Sequence, residues 1–474
     1  MNNKHDAEKA QISPVRSQES TSPEILKAEP REQEVFQISE DGVDFRTVTW
    51  PRASIIFLKI LFATGVLSIP AAMYEIGAVG GALILLGFGM LNCYVGTIQG
   101  DFRNKHPSCH SVADMIGFIA GPAVKELFGG LYIVAWVLCC GAGIQGTSVA
   151  FNALSENAVC TVWFSFISMI VVAMSASVRT FQNLGWVGWA GFISIYAAVF
   201  IVVVAVTQRD RPAAAPREGP FEFGYHAIGA TTFHGGMVST TTIFVSSAGT
   251  SAFVPVIAEM RRPQDFRKAL YCCMGFVTVS YITFASVIYA YCGHWIASPA
   301  LGSAGPTVKK VAYGIGLIGL IVSGAFYCHV AAKYLFVRIL RNSRHLQANT
   351  IVHWSTWLGC TFGLASIAFI LAQAIPIFNY LVSITGSLCF APLALCVPAW
   401  IWLYDNSEYR RGGILKQILY GLHILLFLFG CFLCVAGTYG SVQSIINAYH
   451  NGTIGSVFSC KDNSGTVLGS TGGH

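Results

Sequence analysis

The segment FATGVLSIP, residues 62–70, interrupts the first long apolar stretch of the chain. Thr64 and Gly65 are weak helix formers, while Pro70 removes a backbone hydrogen-bond donor and clashes with the preceding turn. Within a bilayer, backbone groups freed in this way are tolerated only where they are buried in protein or line a wet cavity. The segment therefore predicts a broken membrane helix that faces a cavity or a ligand.

The composition places most of the chain in lipid. Its 474 residues are 54% hydrophobic and only 11% charged, whereas soluble domains carry about 25% charged residues. We predict an all-α membrane protein with eleven transmembrane helices, each near the roughly 20 residues that a bilayer requires. The predicted spans are residues 51–74, 79–99, 127–153, 160–177, 184–207, 230–259, 268–293, 309–336, 351–373, 376–403 and 413–446.

The polar ends and the charges predict the domain organisation and the topology. Residues 1–48 are rich in Ser, Glu and Gln and predict a disordered cytosolic tail. The transporter domain is predicted at 49–446, and an extracytosolic tail at 447–474. This arrangement places 22 of the 29 Lys and Arg residues on the cytosolic side, in line with the positive-inside rule. The sequon NGT at Asn451 falls in the predicted outer tail and predicts a glycosylation site there.

Most of the fifteen cysteines lie in apolar runs, where a thiol behaves as a small hydrophobic group. The motif HPSCH at residues 106–110 could bind a metal, but a solvated loop is the simpler interpretation. The chain lacks paired histidine ligands, a glycine-rich nucleotide loop and a nucleophile motif. We therefore expect no enzyme activity, no metal, no cofactor and no nucleic-acid partner.

The sixth span repeats the pattern of the first, in FVSSAGTSAFVPVIAEM at residues 244–260. Gly249-Thr250 takes the place of Thr64-Gly65, and Pro255 takes the place of Pro70. Spans one and six are five apart and so cross the membrane in opposite directions. This pattern is typical of two inverted five-helix repeats, each led by a broken helix, with one extra helix at the end. A simple proline kink in each span remains the alternative.

Two longer stretches carry a family resemblance. WPRASIIFLKILFATGVLSIPAAMYEIG at 50–77 and TSAFVPVIAEMRRPQDFRKA at 250–269 resemble the amino acid/auxin permease family, and within it fungal neutral amino acid permeases. GVLSIP fits the family's Gly-x-Leu-x-[LI]-Pro pattern. SSAGTS at 246–251 departs from the aromatic-Gly-His run that many members carry there, which leaves substrate preference open. The resemblance covers about residues 48–446 and implies a leucine-transporter-like fold and proton-coupled amino acid import across a plasma or vacuolar membrane.

The two breaks together predict a binding site for a small zwitterion. Half-helix N-termini offer N–H groups that suit a carboxylate, whereas C-terminal carbonyls suit an ammonium group. We expect the carboxylate to meet the first break, at Ala63, Thr64, Gly65 and Val66. We expect the ammonium group to meet the second break, at Ser246, Ser247, Gly249 and Thr250. Spans three, eight and ten should wall the side-chain pocket, with Gln145, Ser323, Phe326 and Tyr327 as candidates.

Coupling to an ion requires a titratable group or a cation site in the membrane. The candidates for coupling are Lys59 and Glu259. Lys59 can supply the positive charge of a sodium ion, or its side chain can extend to the cytosolic surface. Glu259 can titrate, or it can pair with Arg261 or Arg262 as a structural latch.

The remaining ionisable residues of the spans have simpler interpretations, since Glu75 and Lys333 suit interfacial anchors. Pro70 and Pro255 would serve gating by weakening their helices. The sequence thus predicts a transporter for neutral aliphatic and aromatic amino acids, and the family resemblance implies symport with H⁺ as coupling ion. An amino acid sensor that signals through its N-terminal tail and a vacuolar transporter remain alternatives.

Overall fold

The computed structural model describes residues 46–62, 64–179, 181–341, 343–375, 377–451 and 457–464, and these residues are helical apart from their connections. Most of the predicted N-terminal tail, part of the C-terminal tail and Ala63 lie outside the described residues. We call the end of the helix bundle that carries the predicted cytosolic loops the inner end, and the opposite end the outer end.

The helices are α1 (Trp50–Leu61), α2 (Thr64–Ile76), α3 (Ala78–Lys105), α4 (Val112–Ala120), α5 (Pro122–Ser155), α6 (Thr161–Ala176), α7 (Phe181–Thr207), α8 (Phe233–Ser247), α9 (Phe253–Ala258), α10 (Phe266–Cys292), α11 (Pro306–Leu340), α12 (Ile351–Ala374), α13 (Phe378–Ile384), α14 (Val397–Asp405) and α15 (Ile414–His450). Between α13 and α14 the chain continues as π-helix at Thr385–Phe390 and Pro392–Cys396.

Within the described ranges, nine helical stretches are long and apolar enough to cross a bilayer. The pair α1 and α2 forms one further stretch, and its two halves are bent by 46° relative to each other. The apolar helix α6 is shorter, with 16 residues. The model therefore supports a polytopic membrane protein with nine or ten spans by length, to which α6 adds one candidate.

Both predicted helix breaks are present. The first separates α1 from α2, and Pro70 lies inside α2. The second is a 3₁₀ turn at Gly249–Ala252 that separates α8 from α9, and Pro255 lies inside α9. A proline cannot donate the hydrogen bond to the carbonyl group four residues earlier. The backbone hydrogen bonding of α2 and of α9 is therefore weakened close to each break.

The helices pack in two groups. In one, α5, α6, α11 and α12 contact one another. In the other, α2 packs against α8 and α10, and α10 packs against α1 and α3. The last helix, α15, packs along α8 and the π-helical segments. The two breaks therefore face each other, with α5 and the π-helical segments beside them.

A disulfide bond joins Cys160, between α5 and α6, to Cys460 near the end of the described chain. Nearby, Asn152 donates to the side-chain oxygen of Asn463 over 2.7 Å. The segment 457–464 is thus fixed to the outer ends of α5 and α6. Sequence reasoning treated the cysteines as small hydrophobic groups and did not predict this bond, although it placed both residues on the same side of the membrane.

Candidate functional site

A small cavity lies between the two helix breaks, and we call it the central cavity. It encloses about 30 Å³ of space for water-sized molecules. No charged residue is among the described residues that line it. They are Ile60, Leu61, Gly65, Trp136, Cys139, Ala142, Val245, Ser246, Gly249, Tyr327, Val382, Thr385 and Phe390. The lining is therefore mainly apolar and aromatic, with residues from both breaks and three hydroxyl-bearing residues, Ser246, Tyr327 and Thr385.

The glycine of the first break is required by close packing. A Cβ atom at Gly65 would lie 2.5 Å from the hydroxyl oxygen of Tyr281 and 2.8 Å from Cβ of Ser246. Both separations are shorter than real Cβ contacts, so any larger residue at position 65 must displace the neighbouring break or Tyr281. Glycine at position 65 therefore allows the two breaks to lie in direct contact.

Tyr281 of α10 connects the two breaks. Its hydroxyl donates to the carbonyl oxygen of Leu61 over 2.7 Å and lies 3.3 Å from the carbonyl oxygen of Ser246. Its ring stacks on that of Phe62 with the ring centroids 5.5 Å apart. A protein side chain therefore satisfies carbonyl groups that the breaks free, and the sequence analysis had no signal for this residue.

The predicted substrate-binding residues divide into two sets. Four of them line the central cavity: Gly65, Ser246, Gly249 and Tyr327. Six are buried and do not line it: Val66, Ser247, Thr250, Gln145, Ser323 and Phe326. Ala63 and the side chain of Thr64 lie outside the described residues.

Specific contacts explain why three of these side chains point elsewhere. Ser247 accepts a hydrogen bond from the amide nitrogen of Asn92 over 2.8 Å. Ser323 donates to the carbonyl oxygen of Gly319 over 2.7 Å. Phe326 lies against Gly188 of α7, since a Cβ there would meet its ring at 3.1 Å.

Span ten was expected to wall the pocket, but its residues were not named. The structure supplies Val382, Thr385 and Phe390 from this region. Span three contributes Trp136 and Cys139, which lie nine and six residues before the predicted Gln145. The ring of Trp136 lies 5.8 Å from that of Tyr327 and 5.2 Å from that of Phe390, measured between centroids. An aromatic residue in an apolar helix has no sequence mark that separates a wall from ordinary packing.

Lys59 of α1 is buried against α7 and α11, and none of its side chain is exposed. Its ammonium group donates to the carbonyl oxygen of Gly319 over 2.8 Å and lies 3.4 Å from that of Gly191. No carboxylate pairs with it in the part of the chain that the structure describes. Burial of an ammonium group without a counter-ion is costly, so the carbonyl cage around Lys59 is a functional candidate. The structure contradicts the alternative that the side chain of Lys59 extends to the cytosolic surface.

Glu259, the second coupling candidate, ends the broken sixth span at the inner end. Its carboxylate lies 2.7 Å from the ammonium group of Lys333 on α11, and both side chains are almost fully buried. The backbone of Glu259 also accepts from the N–H of Val48 over 3.0 Å. The expected partners Arg261 and Arg262 are exposed. The pair therefore joins α9 to α11 instead of forming a local latch, and Lys333 is not an interfacial anchor.

The loop that contains HPSCH was expected to be solvated, but in the structure it is packed. Cys109 and His110 are each 2% exposed, and burial lowers the pKa of His110 to about 3. Asp114 holds the loop because its carboxylate accepts from the backbone N–H of His110 over 3.1 Å. It also accepts from Arg341 at the end of α11, over 2.8 Å. Within the described ranges no group of His, Cys, Asp or Glu is arranged to hold a metal ion.

A family model described as "Transmembrane amino acid transporter protein" matches residues 46–443. The chain belongs to this family. A "Transmembrane transporter" of Gibberella moniliformis is 51% identical over 93% of both chains. An "N amino acid transport system protein" of Neurospora crassa is 27% identical over 92% of both chains. The family resemblance stated from the sequence is thereby confirmed.

Solved transporters share the fold at low identity. Mhp1, a nucleobase-cation-symport-1 family transporter solved in a closed conformation, is 11% identical with a TM-score of 0.56, covering 88% of this chain and 96% of its own. MhsT in complex with L-phenylalanine is 12% identical with a TM-score of 0.51, covering 85% of this chain and 99% of its own. These likenesses show the leucine-transporter-like fold and no more.

Proposed function

We propose that this amino acid transporter imports neutral aliphatic and aromatic amino acids by proton symport, with alternating access around the central cavity. The observation that carries the proposal is the cavity itself, which joins backbone from both helix breaks to an uncharged lining. The breaks offer polar groups to the two charges that all amino acids share. The remaining walls, which include Trp136, Tyr327 and Phe390, contact the side chain, which differs between amino acids.

The lining supports a preference for uncharged side chains. A charged side chain placed among these apolar and aromatic walls would lack a counter-charge, and an unpaired buried charge is strongly unfavourable. Leucine and phenylalanine should therefore be better substrates than arginine or glutamate. The Neurospora crassa relative is named as an amino acid transport system protein, which agrees with this class.

The position of Lys59 supports the proton as coupling ion. When protonated, its ammonium group holds α1 to the carbonyl groups of α7 and α11. When it is neutral, it makes weaker contacts with these carbonyl groups, and α1 is less firmly held. Because α1 belongs to the broken first span, this difference would couple a proton to the movement of the binding site.

The topology of the proposal has eleven spans, with the N-terminus in the cytosol and the C-terminus outside. The positive-inside charge distribution supports it. The disulfide bond between Cys160 and Cys460 also supports it, because such bonds persist in oxidising compartments outside the cytosol. Asn451, the candidate glycosylation site, ends α15 on the same side. Either the plasma membrane or the vacuolar membrane agrees with this arrangement.

Uptake into proteoliposomes tests the proposal. Labelled L-phenylalanine and L-leucine are offered at an acidic outside pH and a neutral inside pH, with and without sodium. We expect accumulation that requires the pH difference, ignores sodium and is inhibited by other neutral amino acids. Equal inhibition by arginine or glutamate would contradict the substrate class. Binding without any flux would indicate a sensor instead.

A further inference from the structure

A second, larger cavity opens at the outer end of the bundle, and we call it the outer cavity. It is an open cleft of about 410 Å³, compared with about 30 Å³ for the central cavity. Its walls come from α2, α8, α13 and α15. Such a volume accommodates a whole amino acid, whereas the central cavity in this conformation is nearly closed.

The two cavities follow each other along the same helices. On α8, Ser239 and Thr242 face the outer cavity, while Ser246, one turn further in, lines the central one. On the tenth span, Tyr380 faces the outer cavity and Thr385 the central one. A molecule in the outer cavity therefore lies next to the half-helices whose movement would open the central site.

The polar groups of the outer cavity favour a cation. Glu75 lines it, and neither Lys nor Arg is among the described residues that do so. Asn379 also lines it. His234 and Tyr380 are the other titratable groups in the lining. An ammonium group would find the carboxylate of Glu75 here, whereas a carboxylate would meet a like charge.

We propose that the outer cavity is a second binding site, which holds the ammonium group of the substrate through Glu75 while the central cavity is closed. The inference rests on the proposed function for the identity of the ligand. It adds a site that recognises the ammonium group without the carboxylate. Simple amines should therefore bind in the outer cavity, whereas the central site requires both charges of the amino acid.

Glu75 also has a local structural partner, so the test must separate charge from structure. The hydroxyl of Thr231, which precedes α8, donates to the carboxylate of Glu75 over 2.6 Å. Glu75→Gln keeps an oxygen that accepts this hydrogen bond and removes the charge. Glu156→Gln is the matched control, because Glu156 is an exposed carboxylate at the same end of the molecule, paired with Lys310 outside the cavity.

The experiment measures equilibrium binding of labelled L-phenylalanine to the purified full chain in lipid nanodiscs. The competitors are phenethylamine, which lacks the carboxylate, and 3-phenylpropanoate, which lacks the ammonium group. Gly65→Val and Cys139→Phe obstruct the central cavity by two different changes. In both variants we expect phenylalanine binding to persist, with phenethylamine displacing all of it and 3-phenylpropanoate displacing none.

Glu75→Gln should weaken phenethylamine binding by about tenfold, the loss expected for one charge-assisted hydrogen bond. The same variant should leave intact the part of phenylalanine binding that phenethylamine does not displace. Glu156→Gln should change neither this part nor the binding of phenethylamine. If both central variants lose all binding, or if Glu75→Gln binds phenethylamine like the wild type, the outer site is refuted. If the outer site is refuted but the wild-type protein takes up phenylalanine, the proposed function still stands. If the wild-type protein neither binds nor takes up phenylalanine, the proposed function is refuted.

Discussion

The hydroxyl group of Tyr281 donates a hydrogen bond of 2.7 Å to the carbonyl oxygen of Leu61, the last residue of α1. This contact pairs a carbonyl that the first break frees. Since the same hydroxyl lies 3.3 Å from the carbonyl oxygen of Ser246, Tyr281 also fixes the distance between the two breaks. The central cavity is therefore shaped by a residue of α10 that does not line it.

Tyr281→Phe tests this relationship. The ring and its stacking on Phe62 remain, but a buried carbonyl loses its donor, at a cost of about 1–3 kcal/mol. We expect uptake with an apparent affinity for L-phenylalanine about tenfold weaker and unchanged surface expression. Tyr196→Phe is the control, because Tyr196 belongs to the same aromatic cluster, with its ring 5.5 Å from that of Phe62. Equal losses in both variants would mean that the hydroxyl of Tyr281 has no special role.

Lys59→Met tests the coupling role of the buried ammonium group. Methionine fills similar space but cannot carry a proton to the carbonyl groups of Gly191 and Gly319. We expect loss of uphill accumulation driven by a pH difference, whereas exchange of internal for external L-phenylalanine continues. Lys310→Met, at an exposed lysine, should behave like the wild type. Proton-driven accumulation by Lys59→Met at the wild-type level would exclude Lys59 as the coupling group.

The buried pair of Glu259 and Lys333 predicts non-additive effects on stability. Removing one partner leaves an uncompensated buried charge, which typically costs 3–5 kcal/mol. Glu259→Gln and Lys333→Met should each lower the thermal midpoint of the purified protein. The double variant should recover part of that loss, as residues in direct contact do. Additive losses in the double variant would show that the two side chains do not depend on each other.

The disulfide bond provides a test of both stability and topology. In Cys160→Ser, the freed thiol of Cys460 should react with a membrane-impermeant maleimide added to intact cells or, for a vacuolar protein, to the lumenal side. The variant should also unfold more readily, by about 2–4 kcal/mol, because the bond closes a long loop. Labelling from the cytosolic side alone would reverse the proposed topology.

Sequence reasoning succeeded where a local pattern determines the structure. The Gly and Pro spacing at residues 62–70 and 244–260 predicted both breaks, because those residue types disrupt a helix in any environment. Long apolar stretches likewise predicted the membrane helices. The family followed from the same two stretches and was confirmed over residues 46–443.

Contacts between distant segments could not be predicted in this way. Gly319, which accepts from Lys59, and Lys333, which pairs with Glu259, both lie on α11, 260 and 74 residues further along the chain, and no local pattern names them. Trp136 and Phe390 carry no mark that separates a cavity wall from packing. Cys160 and Cys460 are 300 residues apart, and only their shared side of the membrane hinted at a bond.

The most direct test of the central claim compares initial rates of L-phenylalanine uptake by Gly65→Val and Pro70→Ala at matched surface expression. If the paired breaks form the transport site, Gly65→Val should abolish uptake, because even a Cβ atom at position 65 would lie 2.5 Å from the hydroxyl of Tyr281. Pro70→Ala should retain a reduced rate. Normal uptake by Gly65→Val, with loss in Pro70→Ala, would contradict the account and show that the first break is only a proline kink.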